Sequence, residues 1–491
     1  MPERKQGSGA KGIQDILWKA ANRLRGTMDA AQYKEFVLGL VFLKYISDAF
    51  AERRELLSGD DDRQRYAGVF WVPENARWDH LARNAGGDVG GLLDDAMDAI
   101  MRENPALDGV LPKIFGRGGV DPAPLRELVT LISDARFTGH ADRAAQDVLG
   151  QVYEYFLEKF ARAEGKRAGE FYTPASVVKL LVEVLEPFHG KVYDPCCGSG
   201  GMFVQAGRAH GRDITVYGQE ANERTWRLAK MNLAIHGMDP GGLGDRWADT
   251  FAEDKQPGLA ADFILANPPF NMSEWARRAD DPRWVYGLPP RGNANFAWLQ
   301  HMVAKLARGG RAGVVLSNGS MSSKLSGEGA IRRRIVEEDL VSCMVALPGN
   351  LFRSTAIPAC VWFLGRDKQQ RRGQILFVDA RQLGTMVDRT ERVLTDGDIA
   401  RIADTYHAWR TSTAYTDVPG FCFSASLEQV AENDHILTPG RYVGAASAEA
   451  DPDAEPVADR IARLTEELFA QFEESARLAA AVREQLGKLD V

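Results

Sequence analysis

Lys191-Val192-Tyr193-Asp194-Pro195-Cys196-Cys197-Gly198-Ser199-Gly200-Gly201 opens the stretch that decides the fold, and Phe263-Ile264-Leu265-Ala266-Asn267-Pro268-Pro269-Phe270 closes it. Each begins as an apolar run short enough for a buried parallel strand and ends in a turn of special residues. In open α/β sheets, ligands bind at the carboxyl ends of the strands. Two such turns can therefore face one crevice, one holding a cofactor and the other a substrate.

Around this stretch the pattern alternates. Candidate strands are Val192 to Asp194, Ile214 to Gly218, Phe263 to Ala266, Ala312 to Leu316, Val341 to Ala346 and Cys360 to Leu364. Helical periodicity lies between several of them, as in Asn222 to His236 and Phe296 to Ala307. That alternation predicts an α/β, doubly wound sheet. From Asp379 to Pro439 the pattern is less legible, a helix near Asp396 to Arg410 among loops.

The flanks differ in character. At 491 residues the chain is too long for one ordinary core, and its 45% hydrophobic and 26% charged residues suit a soluble globular protein. From Gly12 to about Phe160 the periodicity is helical, beginning after Asp29 with Tyr33, Phe36, Val37, Leu40, Val41 and Tyr45 on one stripe. Shorter helical stretches follow near Leu92 to Met101, Leu125 to Ile132 and Val148 to Phe160. The run Phe36 to Phe42 is far too short for a bilayer and reads as a buried helix. Met1 to Gly12 is polar with no apolar core behind it, so no signal peptide is expected. Five cysteines without CxxC spacing argue against a zinc site or disulfide framework and fit a reducing cytosol. An acidic linker after Ala445 leads to a helix with Val457, Ile461, Leu464, Leu468, Phe472, Leu478, Val482, Leu486 and Leu489 on one face. That helix suits either a partner chain or the protein's own N-terminal domain.

Charge limits how the chain meets nucleic acid. A formal net charge of -8 is unlike a protein that grips a long polyanion alone. If DNA is the substrate, another chain supplies much of the grip.

The first turn resembles a dinucleotide fingerprint but breaks it, since the third glycine would fall at Phe203. A cofactor without a pyrophosphate fits better. Asp194 can accept from an amine, Glu220 after the next strand from ribose hydroxyls, and Asp249 from an adenine amino group while Phe251 packs on the ring. Gly169-Glu170-Phe171-Tyr172-Thr173-Pro174 opens a helix with Thr173 as its cap and Pro174 in its first turn, where free backbone N–H groups can receive a carboxylate. An adenosine with an amino-acid tail satisfies all four sites, and S-adenosylmethionine is that molecule.

At the second turn the problem is nucleophilicity. An exocyclic adenine nitrogen is unreactive because its lone pair is delocalised into the ring. Accepting both of its N–H hydrogens shifts it towards a tetrahedral, reactive form. Asn267 offers a side-chain carbonyl and Pro268 a backbone carbonyl, while Pro268 and Pro269 stiffen the loop. Phe270 supplies a face on which an extruded base can stack. No histidine base or metal is required. The loop from Met272 to Asn295 carries Trp275, Arg277, Arg278, Arg283, Trp284, Tyr286 and Arg291, which suits phosphate contact or filling the gap of a flipped base; a surface loop with incidental arginines is the competing reading. Arg332-Arg333-Arg334 reads as a solvated helix face.

In order, Gly169 to Pro174, Asp194 to Gly201, Tyr217 to Glu220 and Asn267 to Phe270 resemble the motifs of adenine-N6 DNA methyltransferases. The fuller resemblance is to the modification subunit of type I restriction–modification systems. It extends to Leu38 to Asp48 and to Leu347-Pro348-Gly349-Asn350-Leu351-Phe352 with Ile357-Pro358. It implies a Rossmann-like S-adenosylmethionine-dependent methyltransferase domain over 163–445, an N-terminal helical domain over 1–162, and a linker with a C-terminal partner-binding helix over 446–491. It implies catalysis by Asn267, Pro268, Pro269 and Phe270. Cofactor binding falls to Glu170, Phe171, Tyr172, Thr173, Pro174, Asp194, Pro195, Gly198, Ser199, Gly200, Gly201, Glu220, Asp249 and Phe251, with no metal. It further implies a cytoplasmic complex on duplex DNA, with two modification subunits per specificity subunit and an ATP-driven nuclease subunit added for restriction. The chain has no GxxxxGK[ST] loop, so cleavage and translocation lie elsewhere. Adjacent Cys196 and Cys197 depart from the family's usual single cysteine and read as small packing residues.

Two other functions fit the residues. A glutamine amide in a protein poses the same electronic problem, so protein glutamine methylation is one; a non-catalytic S-adenosylmethionine-binding scaffold is the other. Phe270 in place of tyrosine, and the large helical domain, favour DNA.

Overall fold

The computed structural model describes residues 30–59, 62–66, 68–116, 122–133, 150, 152–156, 173–210, 213–352, 357–411, 414–445 and, discontinuously, 463–478. The chain divides into two compact units, Met1–Val443 and Gly444–Val491. In the second, the described residues between 463 and 478 are helical and expose Leu468, Phe469, Phe472 and Leu478. Val457, Ile461, Leu464, Val482, Leu486 and Leu489 of the expected apolar face lie outside the described residues.

The first unit opens with helix α1 (Ala30–Leu56), followed by α2 (Trp78–Asn84), α3 (Val89–Glu103) and α4 (Pro122–Ser133). Every α1 residue from Glu35 to Ser47 is buried, so α1 is surrounded rather than laid down on one stripe. Its buried Lys44 is held by Asp48 one turn on, at 2.5 Å. The Ser47 hydroxyl accepts from the Trp78 backbone N–H, seating α2 against α1. The core around α1 also takes in Leu228, Met231, Ala234 and Ile235 of a later helix, so helical and sheet-bearing parts share apolar packing.

That later part holds helices α5 (Ala175–Leu185), α6 (Gly201–His210), α7 (Glu223–Ile235), α8 (Asn295–Lys305), α9 (Glu328–Glu337), α10 (Asp396–Thr411) and α11 (Leu427–Glu432). Its strands are β1 (Gly190–Asp194), β2 (Ile214–Gly218), β3 (Ala261–Ala266), β4 (Leu306–Ser317), β5 (Val341–Ala346), β6 (Ala359–Gly365), β7 (Gln374–Asp379), β8 (Thr385–Met386), β9 (Arg392–Val393) and β10 (Cys422–Ser426). The main sheet has eight strands in the order β10-β7-β5-β6-β4-β3-β1-β2.

Side chains alternate across that sheet as a period of two demands. Val192, Phe263, Leu265, Val315 and Val345 pack with α5, α6, α7 and α10 on one face. Tyr193, Ile264, Ala266, Val314 and Met344 pack with α8, α9 and α11 on the other. Both faces are covered, which is why the strands read as continuous apolar runs.

All six candidate strands are present, but the sheet is mixed. β6 runs antiparallel between β4 and β5, and β10 antiparallel on β7. Among the described residues the link from β5 to β6 holds no helix, and a direct return yields an antiparallel neighbour. The decisive pairings are parallel: Val192 opposite Phe263 and Tyr193 opposite Ile264, with Asp194 opposite Gly218. The carboxyl ends of β1, β2 and β3 therefore emerge side by side.

Candidate active site

The turn after β1 is held by backbone groups on both sides. The Gln219 N–H donates to the Asp194 carbonyl and the Cys197 N–H to the Gln219 carbonyl, each at 3.0 Å. Glu220 closes the arrangement, since one carboxylate oxygen accepts from the Gly198 N–H at 3.0 Å and the other from the Asn222 N–H at 2.8 Å. Asn232 on α7 donates from its amide to the Ser199 carbonyl at 2.8 Å. Thr250 donates its hydroxyl to the Pro195 carbonyl at 2.6 Å. Asp194, Pro195, Gly198, Ser199 and Glu220 are thus gathered at one strand edge, with Asp249 in the next turn.

Gly198 and Gly200 sit in the left-handed region, at φ 54° and 76°. A Cβ added at Gly198 or Gly201 would meet no heavy atom within 4 Å, so the turn presents bare backbone to open space. A cofactor approaching that backbone fits.

Asp194 is 2% exposed, and burial raises its carboxyl from 3.8 to about 7, although it accepts from the Cys196 N–H at 2.9 Å. The Glu220 charge pushes the same way. Burial likewise lifts the Cys196 and Cys197 thiols well above their ordinary range, which keeps them protonated and unreactive. Cys343, Cys360 and Cys422 are also free thiols. Among the described residues, no group of three His, Cys, Asp or Glu side chains is placed to hold a metal ion.

Asn267 leaves the end of β3 with 9% of its surface exposed. Its amide nitrogen donates to the Thr173 hydroxyl at 3.0 Å, while its Oδ1 is buried without a protein partner. Buried polar atoms are nearly always satisfied, so an orphaned acceptor marks a place for a missing donor. Pro268 is buried, Pro269 and Phe270 are half-buried. The Phe270 ring meets Phe352 edge-on, centroids 5.5 Å apart, so the Leu347 to Phe352 stretch after β5 stands beside the Asn-Pro-Pro-Phe turn.

Thr173 does not cap a helix. α5 starts at Ala175 with Pro174 as its flanking residue, and no side chain caps it. The hydroxyl is committed to Asn267 instead. Glu170, Phe171 and Tyr172 lie outside the described residues.

Phe251 is placed otherwise than expected. It is 1% exposed and packed on Trp298 at 4.3 Å and Trp275 at 4.9 Å, so its ring is covered by protein and leaves no face for an adenine. Asp249 keeps its place at the turn, where Oδ1 accepts from the Phe251 and Ala252 N–H groups at 2.7 and 3.0 Å.

The loop after the turn is largely structural too. Trp284 is 9% exposed and donates to the Arg278 carbonyl, and Trp275 donates to the Arg291 carbonyl. Arg283 pairs with Asp281 at 2.5 Å and donates to the Thr250 carbonyl and to His301 Nδ1, each at 2.9 Å. Burial lowers His301 to about 3, so the ring is neutral. A guanidinium only donates; Nδ1 is therefore the acceptor, and Nε2 carries the proton towards the Tyr193 hydroxyl, 3.0 Å away. Arg278 and Arg291 are the exposed arginines of this loop, while Arg277 donates to the Pro289 carbonyl. Arg332, expected on a solvated face, is fully buried and donates to the carbonyls of His435 and Ser323; Arg333 pairs with Glu337 on the outside.

Three contributors escaped the sequence reading. Asn271 leaves the turn in the left-handed region at φ 53°, and Asn295 with Ser317 grips it, while Phe352, from the Leu347 to Phe352 stretch, backs Phe270. A second asparagine directly after the motif was the available signal.

Residues 144–451 match the N-6 DNA Methylase family and residues 13–134 the HsdM N-terminal domain. The chain is 50% identical over 445 residues to the type I restriction enzyme HindI methylase subunit of Haemophilus influenzae, covering 85% of this chain and 99% of that one. It is 35% identical to the type I restriction enzyme MjaIX methylase subunit of Methanocaldococcus jannaschii, covering 97% and 91%. The crystal structure of a type I restriction-modification system methyltransferase subunit from Streptococcus thermophilus superposes with a TM-score of 0.78 at 28% identity, covering 89% of this chain and 100% of that one.

Proposed function

This chain belongs to the N-6 DNA methylase family and is an adenine-specific DNA methyltransferase, the modification subunit of a type I restriction–modification system; on that premise we propose that Asn267 and Pro268 activate the adenine amino group and that the turn after β1 binds the methyl donor. The family implies S-adenosylmethionine, which supplies an electrophilic methyl group. Everything else falls to this chain's own residues.

The observation that carries the reading is the buried Asn267 Oδ1 without a partner, on an amide already anchored through Nδ2 to Thr173. That oxygen accepts one hydrogen of the adenine amine, and the Pro268 backbone carbonyl accepts the other. The nitrogen's own lone pair, withdrawn from the ring, is then directed at the methyl group; the N–C bond would form as the donor's S–C bond breaks to leave a neutral thioether, and the surplus proton would pass from the nitrogen to water. Pre-aimed acceptors need no reorganisation as charge develops. Phe270, braced by Phe352, stacks on the extruded base.

On the donor side, Asp194 accepts from the cofactor's amino group. Glu220, at the carboxyl end of β2, stands where ribose hydroxyls would need an acceptor, and Asp249, whose Oδ1 accepts from the Phe251 N–H, would offer Oδ2 to the adenine ring's amine. Gly198, Ser199, Gly200 and Gly201, with Pro195, form the wall against which the cofactor would lie, and Glu170, Phe171, Tyr172, Thr173 and Pro174 complete the proposed cofactor-binding set, Thr173 being bonded to Asn267.

The catalytic unit works on duplex DNA with a specificity subunit that reads the sequence, two modification subunits to one, and with an ATP-dependent restriction subunit for cleavage. The net charge of -8 supports a shared grip, and the exposed Leu468, Phe469, Phe472 and Leu478 support helix pairing with a partner chain. The assembly resides in the cytoplasm; among the described residues no helix is long and apolar enough to cross a membrane. The working divisions are residues 1–162 for the helical domain, 163–445 for methyl transfer and 446–491 for partner binding.

The test is transfer of labelled methyl from S-adenosylmethionine to DNA by this chain supplemented with its specificity subunit. Label on adenine N6 that disappears in Asn267→Ala supports the reading. Unlabelled adenine in the wild type, or equal labelling by the variant, overturns it.

A further inference from the structure

Asn271, the residue after the Asn-Pro-Pro-Phe turn, is gripped from two directions. Its N–H donates to Asn295 Oδ1 at 3.1 Å, and its Oδ1 accepts from Asn295 Nδ2 and from the Ser317 hydroxyl, each at 2.9 Å. Asn293 adds a longer bond to the same oxygen, at 3.4 Å. Asn295 is 1% exposed and Ser317 3%. Both stand on rigid elements, Asn295 at the start of α8 and Ser317 at the end of β4.

Asn271 occupies the left-handed region at φ 53°, which asparagine tolerates better than other L residues and which ends the turn at this position. Position 267 is fixed at the other end of the turn by β3 and by Thr173. The prolines between leave few backbone torsions free, so pinning position 271 fixes where the acceptors at 267 and 268 aim.

We propose that Asn295 and Ser317 are positioning residues for methyl transfer, acting through Asn271 to hold the Asn-Pro-Pro-Phe turn in its reactive shape without touching substrate. This rests on Asn267 being the catalytic acceptor. Buried polar groups could serve folding alone, but three side chains converging on the one residue that ends the turn serve its geometry.

The experiment is single-turnover methyl transfer by the chain assembled with its specificity subunit, with S-adenosylmethionine affinity and thermal melting measured on the same preparations. Asn295→Ala and Ser317→Ala are expected to slow transfer by about 10-fold to 100-fold with cofactor affinity unchanged, the scale of a small misplacement at a reacting centre. Because Asn295 works through Asn271, the double variant Asn271→Ala/Asn295→Ala is expected to be no slower than the slower single variant. Ser317→Ala removes one hydroxyl and serves as the milder probe should Asn295→Ala fail to fold. Wild-type transfer in both variants, losses that multiply in the double variant, or a loss of cofactor affinity matching the loss of rate overturns the proposal. Asn267→Ala in the same assay separates the two claims: if it transfers normally, the catalytic reading beneath this proposal has failed instead.

Discussion

The Asn267 amide donates to the Thr173 hydroxyl at 3.0 Å, joining the end of β3 to the residues that precede α5. Two motifs far apart in the chain thereby meet in one hydrogen bond. The bond anchors Nδ2 and leaves Oδ1 as the acceptor of the pair.

Thr173→Val keeps the shape and removes the acceptor. Asn267 Nδ2 is then buried unsatisfied, at a cost of about 1–3 kcal/mol, and the amide loses its anchor. Single-turnover methyl transfer is expected to fall about 10-fold, the equivalent of 1.4 kcal/mol, and to return in Thr173→Ser. Equal rates in the valine and serine variants contradict the anchoring role.

Asp194 gives the protein a pH dependence. Burial raises its carboxyl from 3.8 to about 7, so the folded state holds this proton more tightly than the unfolded state. The resulting contribution to stability is fully present below about 3.8 and is lost as pH rises through about 7. An ammonium group needs the ionised carboxylate, so S-adenosylmethionine affinity changes in the opposite sense, tightening as pH rises through about 7 with a proton released on binding below it. Calorimetric titration in buffers of different ionisation enthalpy reads both effects. Asp194→Asn should bind weakly and without that proton release.

Phe251 belongs to the core, and its replacement should show as instability. Phe251→Ala empties a site walled by Trp275 and Trp298 and is expected to cost about 3–5 kcal/mol. Denaturant titration measures it. A selective loss of cofactor affinity at unchanged stability would restore this ring to the adenine pocket.

Arg332→Ala should destabilise as well. It strips donors from the His435 and Ser323 carbonyls, each about 1–3 kcal/mol if left buried and unpaired. Arg333→Ala, which breaks an exposed pair, should cost less than about 1 kcal/mol. Thermal melting of the two variants ranks them, and equal melting points would contradict the burial difference.

The same residues show what was legible beforehand. β1 and β3 announced themselves because a strand buried on both faces is a short apolar run, and the turns after them carry residues with few other uses. Their adjacency followed from the rule that sheet ligands gather at carboxyl edges, and the Val192 to Phe263 register has it so. The direction of β6 was not legible, since pairing depends on long-range packing and leaves no local pattern. Phe251 and Trp284 misled because an aromatic near a motif looks alike whether it faces a ligand or a core. Arg332 misled because carbonyl partners supplied by loops distant in sequence have no signature in the residues beside it. Asn271 carried a signal in its residue type, but its partners Asn295 and Ser317 come from elements that only the fold brings together.

The most direct measurement compares wild type and Asn267→Ala, each assembled with the specificity subunit, in single-turnover transfer of labelled methyl to duplex DNA, with the modified base identified by mass spectrometry. The account predicts N6-methyladenine from the wild type and a rate lower by about 100-fold to 1,000-fold in the variant, with S-adenosylmethionine binding retained. A variant that methylates adenine at the wild-type rate, or a wild type whose label appears on protein and not on adenine, would contradict it.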